Sequence, residues 1–131
     1  MPVKCELREN GHVVYITVTD PWTAHELQAI YNVEKPFFDQ AHHPVHTLAN
    51  LTAAHRVPSG LLGARNGSPH VFHPNRGEIV VVGANSLIQM LLTTVIRVVR
   101  FQGLKLFATE EEAWAYLREL IASETAEKAL A

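Results

Sequence analysis

A single cysteine, Cys5, rules out an internal disulfide and fits a reducing compartment such as the cytoplasm. There is no basic excess: 11 Lys and Arg stand against 13 Asp and Glu, for a net charge of −2. That balance speaks against a dedicated nucleic-acid binder. The start, Met1 to Glu6, has no apolar signal region. The longest oily run, Leu87 to Phe101, contains polar residues and is shorter than the ~20 residues that span a bilayer. No internal repeat or linker divides the 131 residues. One α/β domain over residues 1–122 is expected, with a tail, 123–131, that either prolongs the last helix or frays.

What is present is a clear alternation of elements. Val3 to Arg8 and Val13 to Thr19 alternate around Asn10-Gly11, a pair that tolerates positive φ, so an N-terminal hairpin is expected. Its second strand points Val14, Ile16 and Val18 to one face and Val13, Tyr15 and Thr17 to the other. Pro21 suits a helix's first turn, and Thr23 with Glu26 has capping-box spacing. Leu27, Ile30, Tyr31 and Phe38 share a helical face, and Pro36 is expected to kink or end that helix. A strand over Val45 to Thr52 then leads through a polar turn to a short helix near Ser59. Open α/β sheets place their sites at such strand ends, so function is expected near Asn50 to Gly63.

Arg65 to Gly77 reads as a long loop, the kind that often carries function. Ile79, Val80, Val81 and Val82 form an unbroken apolar run, which predicts an interior strand buried on both faces. Asn85 or Ser86 caps the next helix. Gln89, Thr93, Arg97 and Arg100 form its narrow polar stripe, and its apolar arc is wider than one sheet contact needs. Another helix or another chain must cover the excess, which makes Leu87, Met90, Leu91 and Arg97 candidates for a homodimer contact. Leu104 to Phe107 is a last strand. Thr109 with Glu112 caps a final helix that buries Ala113, Leu117, Leu120 and Ile121, with Trp114 at its edge. The order β-β-α-β-α-β-α-β-α implies a mostly parallel sheet of about five strands.

The order of elements resembles the STAS domain of bacterial anti-sigma-factor antagonists, a family whose related branch includes small proteins similar to the lipid-binding CRAL-TRIO domain. In the antagonists the third strand ends Asp-Leu-Ser, and Asp-Ser-Ser-Gly-Leu-Gly follows at a helix start. Here Asn50-Leu51-Thr52 falls on the first motif and Pro58-Ser59-Gly60-Leu61-Leu62-Gly63 on the second. Leu106 to Ala113 resembles the family's last strand and acidic helix start. The resemblance implies a binding module rather than an enzyme, with a protein partner or a small ligand. It also puts Gly60, which has no hydroxyl, at the family's phosphorylated position and Pro58 in place of an Asp, and leaves Ser59, which only a one-residue shift of the turn would bring to the acceptor position, as a helix cap. Binding without a phosphorylation switch is therefore expected.

Other constellations are weaker. His42-His43-x-x-His46 and His70-x-x-His73 lie in or beside loops and His55 in the central turn, and they read as solvated rather than as zinc ligands, so neither metal nor cofactor is expected. His55 with Ser59 has no third group to orient it and no Gly-x-Ser-x-Gly elbow. Gly60, Gly63 and Gly83 are too sparse for a dinucleotide fingerprint. Arg56, Arg65, Arg76, Arg97 and Arg100 either gather around an anion or scatter over the surface. Phe72 is a partner anchor or a core plug. The candidate binding residues are thus Asn50, Thr52, His55, Arg56, Ser59, Gly60 and Phe72. A carrier of a small apolar or lipid ligand, held between the sheet and the helix Leu87 to Phe101, is the alternative reading.

Overall fold

The computed structural model describes residues 3–56, 75–99 and 103–130. Its strands are β1 (Val3–Arg8), β2 (Val13–Thr19), β3 (Val45–Ala53), β4 (Arg76–Val82) and β5 (Leu104–Phe107). They form one sheet in the order β1-β2-β3-β4-β5, antiparallel at β1–β2 and parallel elsewhere. The described helices are α1 (Ala24–Asp39), α2 (Ser86–Val99) and α3 (Glu110–Leu130). This is the expected α/β order. The helix expected near Ser59 lies outside the described residues.

Each face of the sheet has its own core. Val14, Ile16, Val18, Val45, Leu51 and Val81 pack with Trp22, Ile30 and Phe38 from α1 and its entry, and with Ile88 from α2. Val13, Tyr15, Leu48, Val80 and Val82 pack with Ala113 and Leu117 of α3. The alternation in β2 and the apolar run in β4 therefore point as their period dictates. One correction applies: Ile79 is half-buried rather than buried, since its neighbour across the ladder is Leu104 of the short edge strand.

Local chemistry explains most boundaries. The Thr23 hydroxyl accepts the Glu26 N–H at 3.0 Å, and Asn85 Oδ1 accepts the Ile88 N–H at 2.9 Å. Thr109 Oγ1 accepts the Glu112 N–H at 3.3 Å and donates to the Glu112 carboxylate at 3.1 Å. Residues 123–130 prolong α3.

Four expectations need correction. Pro21 stands two residues before the Thr23 cap, outside the first turn of α1. Pro36 does not end α1, which runs on to Asp39. The proline removes only its own donor, and the turn after it still closes, with the Gln40 N–H returning to the Pro36 carbonyl at 3.1 Å. The hairpin turn is centred on Glu9 and Asn10, one residue early, with φ of 53° and 55°, and Gly11 follows at 88°. The Arg8–Val13 pairing leaves four residues in the loop, and the Gly11 N–H closes the turn on the Arg8 carbonyl at 3.2 Å. Finally, Arg76 and Gly77 belong to β4 rather than to a loop.

β4 also carries a bulge. Val45 pairs with Arg76 and Thr47 with Ile79, so two steps on β3 oppose three on β4. The extra residue reverses the facing of the strand start. Arg76 turns towards α1, and Glu78 turns towards α3.

Cys5 lies beside this core on the α1 face. Burial pushes its thiol up from the ordinary 9.0 to about 12, with the Glu34 and Glu6 carboxylates adding to the effect. Because the folded value is raised, the thiol's contribution to stability is present below pH 9 and is lost as pH rises from 9 towards 12. Alkylation of folded protein by iodoacetamide at pH 9 is expected to run at least about tenfold slower than in denaturing urea. Equal rates would show that the thiol is not held in this environment.

Candidate functional site

The candidate site is the shelf where β2, β3 and β4 end together. β2 leaves the sheet at Asp20, whose N–H donates to the Ala53 carbonyl at 3.1 Å. Its carboxylate accepts the His55 N–H at 2.7 Å and the Arg56 N–H at 3.4 Å. The Trp22 indole N–H donates to the Arg56 carbonyl at 3.1 Å. From the other side, Asn85 Nδ2 donates to the His55 carbonyl at 3.0 Å while its Oδ1 caps α2. The backbone at 55 and 56 is thus clamped by two connections, β2–α1 and β4–α2, and both side chains remain exposed.

Asn50 and Thr52 form a second group on the α3 face. Asn50 Nδ2 donates to the Tyr15 hydroxyl at 3.2 Å and to Glu110 Oε2 at 3.4 Å. Its Oδ1 accepts the Thr52 N–H at 3.0 Å. The other oxygen of Glu110 accepts the Trp114 indole N–H at 3.3 Å. Thr52 is exposed and lies against Gly83, where an added Cβ would stand 2.4 Å from the threonine hydroxyl. Gly83 also has φ of 72°, so only glycine fits there without strain.

The sequence-derived site residues therefore divide. Asn50 and Thr52 come together, and so do His55 and Arg56, each pair with its own partners. Ser59, Gly60 and Phe72 lie outside the described residues. Asp20, Trp22 and Asn85, which hold the shelf, were not singled out as site residues. Asp20 carried a weak signal, an acid immediately after an alternating strand. Of the helix candidates, Leu87 is 51% exposed and Met90 59%. Leu91 is half-buried and Arg97 exposed.

The opposite end of the sheet holds buried polar groups that sequence reasoning placed on the surface. Arg76 is not scattered surface charge. Its side chain is buried, with Nη2 2.8 Å from Glu34 Oε1, Nη1 2.8 Å from the Thr47 hydroxyl, and its guanidinium carbon 4.5 Å above the Phe38 ring. Glu34 is 1% exposed. Burial pushes its carboxyl up, and the Arg76 charge and hydrogen bond pull it back. His46, on the expected strand, is not solvated but buried, and it is bonded to Glu124 of α3. His43 stacks on His12 with ring centres 3.9 Å apart. Among the described residues no group of three His, Cys, Asp or Glu side chains is arranged to hold a metal ion.

No protein-family model matches the chain, and no curated protein matches it. The NMR structure of the protein TM1081 is similar to it over 87% of this chain and 86% of that one, with a TM-score of 0.55 and 16% sequence identity. At that identity the likeness concerns the fold alone, and it supports the α/β architecture. Among the described residues no helix is long and apolar enough to cross a membrane.

The Asn50 contacts generate a prediction. A carboxylate at position 50 would stand at hydrogen-bond distance from the Glu110 carboxylate. Asn50→Asp is expected to cost about 1–3 kcal/mol at neutral pH. The mutual repulsion raises the carboxyl values in the folded state, so the loss shrinks as pH falls through the carboxylate range. Adding Glu110→Gln should restore most of it. Urea denaturation of the four proteins at pH 7 and pH 4.5 measures this, and an Asn50→Asp protein as stable as the parent at pH 7 contradicts it.

Proposed function

We propose that this chain is a non-enzymatic interaction module of the STAS type, acting in the cytoplasm as a homodimer. The observation that carries the reading is the exposure of Leu87 and Met90 on α2. Ile88 and Leu92 occupy the sheet-facing side of that helix. At about 100° per residue, the arc from Met90 round to Leu92 spans about 200°, roughly twice what one sheet contact requires, and its one polar residue, Thr94, turns its hydroxyl back to the Met90 carbonyl at 2.8 Å. Gln89, Thr93 and Arg97 hold the remaining polar arc and are exposed. An apolar helix face with a polar border suits a self-complementary two-fold contact, the commonest way soluble chains associate.

The shelf at Thr52 to Arg56 supports a second role for the same module, docking a protein partner together with the 57–77 region. Its backbone is already fixed, so presenting the His55 and Arg56 side chains requires little further ordering. The STAS resemblance favours constitutive binding, because Gly60 offers no hydroxyl for phosphorylation.

Light scattering at micromolar concentration tests the dimer. The parent chain is expected at twice its monomer mass. Met90→Glu, which places a charge on a position exposed in the single chain, should give a folded monomer whose melting temperature is lower by what association contributes and no longer depends on protein concentration. A monomeric parent chain overturns the dimer. Native mass spectrometry of the purified protein separates the remaining alternative. A co-purifying apolar small molecule, in place of a ligand-free dimer, would favour a ligand carrier.

A further inference from the structure

The end of the sheet away from the shelf contains an imidazole with both nitrogens committed. His46 is 1% exposed. Its Nδ1 is 2.9 Å from the Glu78 backbone nitrogen, and its Nε2 is 2.9 Å from Glu124 Oε1. A backbone N–H only donates, so Nδ1 is the bare nitrogen. The ring's one hydrogen then sits on Nε2 and points at the carboxylate. The ring also occupies the side-chain space of Gly77, where an added Cβ would lie 2.2 Å from Nδ1. His46 therefore fills the β4 bulge from the side and joins it to the far end of α3.

We propose that His46 is a proton-operated latch: a proton taken up at Nδ1 releases the Gly77–Glu78 bulge while holding the ring more tightly to α3. The protonated ring has two donors. One faces Glu124 and gains from its charge. The other faces the Glu78 N–H, where two donors meet and no acceptor remains.

The groups around the ring decide where the strain goes. From α3 come the Glu124 carboxylate and Tyr116. From β4 comes the Glu78 carboxylate, which already accepts the Tyr116 hydroxyl. Burial and that bond push the Tyr116 phenol up to about 12, so it remains a donor throughout the relevant range. The backbone N–H of His46, not its ring, donates to the His12 carbonyl of the β1–β2 loop at 2.8 Å. The ring of His12 is stacked on His43. The Glu124 carboxylate stands at Nε2 and can accept from it in either ring state, so the contact that a second ring proton breaks is the one to the Glu78 backbone N–H. Arg76, held by Glu34 and Thr47 on the other face, keeps the start of β4 anchored. The release is confined to residues 77 and 78.

Nitrogen-15 NMR of the intact chain tests this. At neutral pH the His46 ring is expected as the Nε2–H tautomer. On acidification, Glu78 amide exchange, corrected for its intrinsic pH dependence, should quicken about tenfold in step with ring protonation. The Val80 to Val82 amides should not change. His46→Gln offers an acceptor to Glu78 and a donor to Glu124 but takes up no proton. In that variant the Glu78 response should vanish, which separates the ring's titration from that of the Glu78 carboxyl. An Nδ1–H tautomer, a Glu78 amide indifferent to ring protonation, or a ring that stays neutral until the protein unfolds would each overturn the latch.

Discussion

Three consecutive valines, Val80, Val81 and Val82, are buried on alternate faces of an interior strand. Neither face of that strand can meet water, and the rest of the chain answers to this constraint. α1 and α2 cover one face, and α3 covers the other. Because α3 begins where β5 ends, it runs back along the sheet from one end to the other. Its first residue, Glu110, reaches Asn50 at the strand ends, and Glu124 reaches His46 near the strand start. One helix thereby ties together the exposed shelf and the buried ionisable end.

The two ends of the sheet use polar groups in opposite ways. At the shelf, Asp20, Trp22 and Asn85 spend their hydrogen bonds on backbone, and the side chains of His55 and Arg56 stay outside. At the other end, Arg76, Glu34 and His46 are themselves enclosed. A buried ion pair adds little net stability over an apolar replacement, but breaking it leaves an uncompensated charge in the core. The bulge at Gly77 makes both enclosed sites possible, since it turns Arg76 to one face and Glu78 to the other.

What was legible in the sequence was local. Alternation in β2, the apolar run in β4 and the caps at Thr23, Asn85 and Thr109 depend on residues a few positions apart, and each fell where its spacing put it. The strand end at Asn50 and Thr52 was readable for the same reason. The pairs that were missed are distant: Glu34 with Arg76, His46 with Glu124, Asp20 with His55. Periodicity records which face a residue takes, not which charge waits there from another element. Pro36 was misread because a proline forfeits only its own N–H bond, and the following turn can still close on its carbonyl, as the Gln40 N–H does here. The hairpin turn shifted by one residue because strand pairing, not the Asn-Gly pair alone, decides the loop length.

The account turns on the outer face of α2 being covered by a second copy rather than by water. The Met90 methyl group reports on this directly. With a soluble paramagnetic agent present, its NMR relaxation can be followed from millimolar concentration down to the lowest observable. The account predicts a methyl shielded throughout this range in the parent chain and accessible in a chain made monomeric by Leu87→Glu. A parent methyl that is accessible throughout contradicts the dimer, and one that stays shielded in the monomeric variant means that the chain's own residues cover the face.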